Sequence, residues 1–333
     1  MDHAEARRTK QEVSAYVHDL LEQKVETRAL TTAPPAISLG LAPQPDGGFS
    51  VAVRYRLGVP TARMVARRVA QQVGPGVDVR RTGRIRAVAP GHGGTAPRPP
   101  VVSALAVGET GRARPLRPGV SIAHVDVSAG TLGAFVHVDG VLHALSNYHV
   151  LVGSPTASIG DAVLQPGPAD GGWDPDDRVG SLAGLVALER GQRALVDAAV
   201  ARLDQPEVDL DYPVGRVTRT AEVTDAVEVE KIGRTTGITR GRVTAIELDD
   251  VVVGYGEELG ELAFDDQIEV EGLGRAPFSR GGDSGSLVYR AADGAAVGLL
   301  FAGSETGGEN GTGLTYLNPI GPVLALLGAQ LAI

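Results

Sequence analysis

Cysteine is absent from all 333 residues of this chain. Its absence excludes disulfide bonds, thiol nucleophiles and thiolate metal sites, so oxygen and imidazole remain as the candidate nucleophilic chemistry. Aromatic residues make up only 4% of the chain, within a hydrophobic content of 43%. We therefore expect a core built from aliphatic side chains.

Long apolar runs are missing as well. Nowhere do about 18 apolar residues follow one another, which is the length that a membrane-spanning helix needs. The stretch from Met1 to Arg8 is polar, and no apolar signal core follows it. We therefore expect a cytoplasmic protein that makes no membrane contact.

Glycine and proline, in contrast, are abundant, with 45 and 21 residues. Beyond about Arg117, short β-type runs alternate with glycine, proline and aspartate, a spacing typical of all-β folds. A proline at its start predicts a C-terminal helix over Pro319–Leu331. Strands are predicted at Gly133–Val138, Leu142–Leu145, Ala194–Leu203, Val227–Ile232, Gly241–Leu248, Gln267–Glu271, Ser286–Tyr289, Ala296–Phe301 and Gly313–Leu317.

The N-terminal part of the chain predicts a small α/β module. Thr9 and Glu12 fit a capping box, so an amphipathic helix is expected to begin at Thr9. Apolar periodicity then predicts a strand at Phe49–Leu57, a helix at Thr61–Val73 and a strand at Val77–Val88. These three segments would form a β-α-β unit.

Composition and charge divide the chain into three parts. Residues 1–88 form the module, the Gly/Pro-rich residues 89–116 a linker, and residues 117–333 the β domain. Residues 1–116 carry 17 Lys and Arg against 9 Asp and Glu, whereas residues 117–333 carry 14 against 31. The basic module suits a protein partner; nucleic acid is disfavoured, because Arg54 and Arg56 alternate along a predicted strand and other arginines lie on a helix face, which favours a solvated face or docking onto the acidic part of the chain.

Three separate segments supply the residue types that nucleophilic catalysis by a serine requires. A serine hydroxyl is a poor nucleophile unless an imidazole accepts its proton and a third group orients that imidazole. We expect Ser284 to be the nucleophile, His149 the general base and Asp197 the orienting carboxylate. Each lies beside an apolar strand run, in Ser146-Asn147-Tyr148-His149, Val196-Asp197-Ala198-Ala199 and Gly282-Asp283-Ser284-Gly285.

The surroundings of Ser284 favour one way of stabilising the transition state. Gly281 and Gly282 before it and Gly285 after it allow the backbone to bend, so that the N–H groups of Gly282 and Ser284 can form an oxyanion hole. The chain order His, Asp, Ser matches chymotrypsin-like enzymes, and the Gly-x-Ser-x-Gly spacing of a hydrolase elbow is missing.

The three segments resemble the signature blocks of trypsin-like serine peptidases, over residues 117–333. The resemblance implies a mainly β fold of two perpendicular six-stranded barrels of chymotrypsin type, with His149 and Asp197 from the first barrel and Ser284 from the second. Further blocks resemble a cysteine-free bacterial branch related to the plant narrow-leaf protein. These are Arg117-Pro118-Gly119, Gly130-Thr131-Leu132-Gly133, Gly233-Arg234-Thr235-Thr236-Gly237, Phe264-Asp265-Asp266-Gln267 and Val297-Gly298-Leu299-Leu300-Phe301.

The resemblance also implies substrate-binding residues: Phe278, Phe301, Ala302 and Gly303. Phe278 stands where trypsin has the aspartate that selects Lys or Arg, so an apolar or small substrate side chain is expected instead. In activated relatives a freed N-terminus pairs with the residue corresponding to Asp283, and no activation site is apparent here. The partner of Asp283 therefore stays open.

Two functions from different classes follow. The first is an intracellular endopeptidase that cleaves protein or peptide substrates through an acyl-enzyme, without metal or cofactor. The second is a catalytically silent or conditionally active scaffold on a peptidase fold, favoured by Phe278 and the missing activation signal. A Gly-Asp-Ser-Gly tetrapeptide alone is typical of turns, so the combination of three segments favours the enzyme. Whether the protein is a homo-oligomer stays open.

Overall fold

The computed structural model describes residues 1–25, 37–45, 47–87 and 108–333. The described N-terminal residues form α1 (His3–Val25), β1 (Ile37–Pro43), β2 (Phe49–Arg56), α2 (Pro60–Val73), β3 (Val77–Thr82) and β4 (Ile85–Ala87). Strands β1 and β2 pair antiparallel, β3 joins β2 in parallel, and both helices pack against β1 and β2. The predicted β-α-β unit is therefore present as β2, α2 and β3. The single strand predicted over Val77–Val88 is wrong, because Gly83 and Arg84 separate β3 from β4, which pairs with other strands, and Val88 lies outside the described residues.

Helix α1 begins at His3, six residues before the predicted start, so the capping box at Thr9 is wrong. Asp2 caps the helix instead, because its Oδ1 accepts the N–H of Glu5 at 2.8 Å. Thr9 lies inside the helix, where its hydroxyl donates to the carbonyl of Glu5 at 3.0 Å. Asp2 and Thr9 are both followed three residues later by a glutamate, so both fit the capping pattern. Capping at Asp2 gives the longer helix.

The first β domain sheet contains β5 (Ser121–His124), β6 (Gly130–Thr131), β7 (Ala134–Val138), β8 (Val141–Ser146), β9 (Ala162–Leu164), β10 (Arg178–Leu185) and β12 (Ala199–Leu203). The short helix α3 (Tyr148–Leu151) follows β8, and the two-residue strand β11 (Arg193–Ala194) precedes β12. A separate ribbon of β13 (Asp211–Tyr212) and β14 (Gly215–Arg216) leads into the second half. In the described structure these seven strands pair in the order β7-β8-β12-β10-β9-β5-β6, and the sheet does not close into a ring.

The second half forms β15 (Glu228–Gly233), β16 (Gly237–Asp249), β17 (Val251–Gly254), α4 (Gly256–Leu259), β18 (Glu261–Phe264), β19 (Gln267–Gly272), β20 (Leu287–Arg290), β21 (Ala296–Ser304) and β22 (Thr315–Pro319). Six of these strands, β15, β16, β19, β22, β21 and β20, close into a ring by pairing in that order. The predicted mainly β, chymotrypsin-type fold is confirmed, with one closed barrel and one half-barrel. No helix among the described residues is long and apolar enough to cross a bilayer.

The C-terminus differs from the predicted single helix over Pro319–Leu331. Helix α5 covers only Ile320–Leu326, and the chain then forms β23 (Ala329–Leu331), which pairs with β7 of the first half. Gly328 has φ of +60°, a conformation that glycine adopts readily and that ends the helix. The last strand thus ties the second half back to the first.

Strand β1, which the sequence did not predict, joins the N-terminal layer to the closed barrel. It pairs antiparallel with β16, so both belong to one continuous sheet. A buried ion pair reinforces this junction: Arg54 Nε on β2 donates to Glu269 Oε1 on β19 at 2.8 Å, with side chains 1% and 0% exposed. Thr244 and Tyr316 also donate to Glu269, which leaves its carboxylate fully hydrogen-bonded.

We predict that Arg54→Met lowers the free energy of unfolding by about 3–5 kcal/mol, because it leaves the Glu269 carboxylate buried without its cation. Chemical denaturation followed by circular dichroism measures the change. The matched control is Arg56→Met, whose partly exposed pair with Glu261 contributes less than about 1 kcal/mol. Equal stability of the two variants would contradict the role given to Arg54.

Candidate active site

His149 and Asp197 form a tight pair at the end of the first half. His149 lies on α3, directly after β8, and Asp197 lies just before β12, the neighbour of β8. His149 Nδ1 is 2.5 Å from Asp197 Oδ2, and the backbone N–H of His149 donates to Asp197 Oδ1 at 3.3 Å. The carboxylate therefore holds both the ring and the backbone of the histidine.

Asp197 is 0% exposed, and amide side chains from both halves fix its backbone. Asn147 Nδ2 donates to the carbonyl of Asp197 at 2.8 Å, and the N–H of Asp197 donates to Asn318 Oδ1 at 2.9 Å. Asn318 lies on β22 and donates in turn to Gln267 of β19 at 2.7 Å. These bonds attach the pair of His149 and Asp197 to the closed barrel.

Tyr255 is a member of this network that sequence analysis missed. Its O–H donates to Asp197 Oδ2 at 2.6 Å, and its ring stacks on Phe264 with centroids 5.8 Å apart. Burial and the neighbouring Asp197 raise the pKa of Tyr255 well above its usual value, so the phenol stays protonated and donates. No spacing in Gly254-Tyr255-Gly256 signals this role, because the contact spans 58 residues.

Ser284 lies in a tight turn between Gly282 and Gly285, whose φ values are +94° and +95°. A Cβ at Gly285 would collide with Ser146 Oγ and with the carbonyl of Thr131, so only glycine fits there. Ser284 Oγ donates to the carbonyl of Phe301 at 3.5 Å, and Ser284 is 0% exposed.

The imidazole of His149 is oriented but its outer nitrogen is free. Within the described part of the chain, Nε2 is buried and has no hydrogen-bond partner. Ser284 and His149 are therefore not hydrogen-bonded to each other in this state.

The turn around Ser284 also presents two free N–H groups. Those of Gly282 and Ser284 donate to no other described residue, whereas the carbonyls of both are bound by Thr131. Thr131 Oγ1 donates to the carbonyl of Gly282, and its N–H donates to that of Ser284, each at 2.8 Å. The peptide units that carry the two N–H groups are held through their own carbonyls: Thr235 Oγ1 donates to that of Gly281 at 2.6 Å and Ser286 Oγ to that of Asp283 at 2.7 Å. The two donors predicted for the oxyanion hole are thus fixed and, among the described residues, unoccupied.

Lys231 is the partner of Asp283 that the sequence left open. Its Nζ lies 3.4 Å from Asp283 Oδ2, and both side chains are 0% exposed. The N–H groups of Thr235, Thr236 and Arg280 donate to the same carboxylate at 2.9–3.0 Å. An internal lysine is therefore the partner of Asp283; burial lowers the pKa of Lys231, and the neighbouring Asp283 carboxylate opposes that shift.

The four predicted substrate-binding residues lie in different surroundings. Phe278 is 1% exposed and packs in the core of the closed barrel, and the ring of Phe301 lies 4.8 Å from that of Phe264. Ala302 and Gly303 lie on the edge of β21 that pairs with β4.

The side chains beside Gly303 are polar. A Cβ built on Gly303 would lie 3.6 Å from Ser279 Oγ, which in turn is 2.7 Å from Thr315 Oγ1. Hydroxyl groups therefore lie next to Gly303, whereas the ring of Phe278 is turned into the barrel core.

We predict that Lys231→Met destabilises the protein by about 3–5 kcal/mol, because it leaves Asp283 buried without a cation. Urea denaturation measures the loss. The double variant Lys231→Met/Asp283→Asn removes both charges and should recover part of it. The control is Arg240→Met, an exposed cation on the neighbouring strand of the same hairpin that pairs with Glu230, which should change stability little. Wild-type stability of Lys231→Met would contradict the pairing.

No protein-family model matches this chain, and no curated protein matches it. Solved structures that resemble it are serine proteases. Thermobifida fusca protease A is 22% identical, with 65% of this chain and 98% of that chain covered and a TM-score of 0.45. The corresponding values are 18%, 66%, 99% and 0.46 for the Nocardiopsis protease, and 21%, 65%, 98% and 0.43 for Cellulomonas bogoriensis chymotrypsin. At this identity the similarity concerns fold alone, and the role of each residue rests on the site itself.

Proposed function

We propose that this chain is a serine endopeptidase with Ser284 as nucleophile, His149 as general base and Asp197 as its orienting carboxylate. The observation that carries the proposal is the state of the imidazole. Its Nδ1 is bound to a buried carboxylate, whereas its Nε2 is buried and unpartnered among the described residues. A histidine held in this way presents the lone pair of Nε2 to a proton donor.

The reaction follows from these positions. Ser284 Oγ bonds to the carbonyl carbon of the scissile peptide while its proton passes to His149 Nε2, and the carbonyl oxygen becomes an oxyanion facing the N–H groups of Gly282 and Ser284. Collapse breaks the C–N bond, and the proton from Nε2 goes to the leaving amine. Water then attacks the acyl-enzyme, gives its proton to Nε2, and the carboxylate product leaves as Ser284 regains the proton.

A conditionally active protein is the second candidate, because Ser284 is fully buried and not bonded to His149. Both candidates use the same residues and differ in whether a trigger precedes the chemistry. Several finer points stay predictions: a preference for apolar or small substrate side chains, a cytoplasmic location, a protein partner of residues 1–88, and the relation to a cysteine-free bacterial branch.

We expect a fluorophosphonate probe to modify wild-type protein at Ser284, which intact-mass and peptide mass spectrometry detect. Ser284→Ala should abolish labelling and lower peptide hydrolysis by about 10⁴–10⁶-fold. Ser154→Ala, which removes a partly exposed loop hydroxyl, should change neither. Equal absence of label on wild-type and Ser284→Ala protein, under conditions that label a control peptidase, would reject the endopeptidase.

Tyr255 is proposed as a positioning residue that acts through Asp197. Tyr255→Phe removes one hydrogen bond to a charged group, so we expect kcat for a peptide substrate to fall about ten- to hundredfold with KM nearly unchanged. The control is Tyr289→Phe, which removes a buried hydroxyl bonded to Glu230 away from the site. A loss expressed in KM, or no loss in kcat, would contradict this role.

A further inference from the structure

Strand β4 occupies the edge of β21 that leads to the catalytic serine. It pairs antiparallel with β21, with Ala87 opposite Ala302, Arg86 opposite Gly303 and Ile85 opposite Ser304. On its other side β4 pairs in parallel with β17 through Gly254. Three residues of the N-terminal part thus form a strand that is inserted between two strands of the second half.

The direction of β4 is that of a substrate strand. Along β21, Phe301 comes first and accepts the hydrogen bond from Ser284 Oγ, and Ala302 and Gly303 follow it. Because β4 is antiparallel, it runs from the Ser304 end of this edge toward Phe301. Its carboxyl end therefore approaches the serine, as the residues before a scissile bond must do.

The three side chains of β4 are held differently. Ile85 is 8% exposed and belongs to the buried cluster that contains Val253, Phe264 and Phe301. Arg86 is exposed, and Ala87 is partly buried against the same cluster. A strand in this place therefore needs a large aliphatic residue first, accepts a long exposed residue second, and needs a small residue third.

We propose that β4 is a resident substitute for substrate and that the true substrate is an extended peptide which replaces it between β17 and β21. The replacing peptide carries a branched aliphatic residue in the place of Ile85 and a small residue in the place of Ala87. This inference rests on the proposed endopeptidase function.

The absence of cysteine allows a clean test by disulfide clamping. Ala87 and Ala302 are register partners in an antiparallel pair, whose Cα atoms lie about 4.5–5.5 Å apart, within disulfide reach. In the full-length variant Ala87→Cys/Ala302→Cys, we expect fluorophosphonate labelling of Ser284 to be at least about tenfold slower when oxidised than when reduced. Equal rates in both forms would overturn the proposal.

A matched control places the same kind of bond elsewhere. His137 and Leu142 are register partners in the hairpin of β7 and β8, away from the serine. Labelling of His137→Cys/Leu142→Cys should not change on oxidation. A change of similar size in this control would show that oxidation alone slows labelling. The slower labelling of the oxidised Ala87 pair would then have no link to β4, and the proposal would be overturned.

A binding measurement separates this inference from the peptidase proposal, because it needs no chemistry. The probe is a fluorescein-labelled peptide with the sequence of residues 82–88, and the receptor is the full chain carrying Ser284→Ala. Adding Ile85→Glu removes the anchor of β4, so the peptide should bind at least about tenfold tighter, as measured by fluorescence anisotropy. A peptide with glutamate in place of its isoleucine should not bind.

The outcomes separate the two proposals. Peptide binding without any labelling of Ser284 would reject the endopeptidase and leave the strand site standing. Labelling of Ser284 at equal rates with β4 clamped and free would reject the strand site and leave the endopeptidase standing. If Ile85→Glu loses cooperative unfolding in urea, the receptor becomes the reduced form of Ala87→Cys/Ala302→Cys with Ser284→Ala, compared with its oxidised form. Equal peptide binding by those two forms would likewise reject the strand site.

Discussion

Burial of the Asp197 carboxylate is the constraint on which the rest of the site depends. A carboxylate with 0% exposure is costly unless donors surround it. The carboxylate is bonded to His149 on α3 and accepts from Tyr255 after β17, and the backbone N–H of Asp197 donates to Asn318 on β22. The half-barrel, the closed barrel and the hairpin of β17 and β18 must therefore assemble together before this charge is stabilised, and the imidazole is oriented as a result.

A second buried charge sets where regulation can act. Lys231 pairs with Asp283 inside the folded barrel, so the turn that carries Gly282 and Ser284 is fixed by folding alone. The peptide units that carry the N–H groups of Gly282 and Ser284 are also held, because Thr235 and Ser286 donate to their carbonyls, those of Gly281 and Asp283. On the proposal made above, control of activity then falls on the edge of β21 that β4 occupies.

Local patterns in the sequence predicted the strands of the β domain. Apolar runs beside His149 and Ser284 predicted the strands that position them, and most strand limits agree within a few residues. Contacts between distant segments left no local signal: Tyr255 reaches Asp197 across 58 residues, and Lys231 lies 52 positions before Asp283. Strand β1 was missed because Ile37–Pro43 mixes glycine and proline with apolar residues and is stabilised only by its pairing with β16.

Exchange of β4 is compatible with an otherwise intact fold. The N-terminal layer is also attached through β1 on β16 and through the buried pair of Arg54 and Glu269, neither of which involves β4. Removal of β4 would leave the facing edges of β17 and β21 without partners, and unpaired strand edges bind extended peptides through main-chain hydrogen bonds. A peptide entering there pairs on both sides at once. The same two edges that hold the resident strand therefore select for an extended substrate, and the cost of displacing β4 is offset by the bonds that the incoming peptide forms.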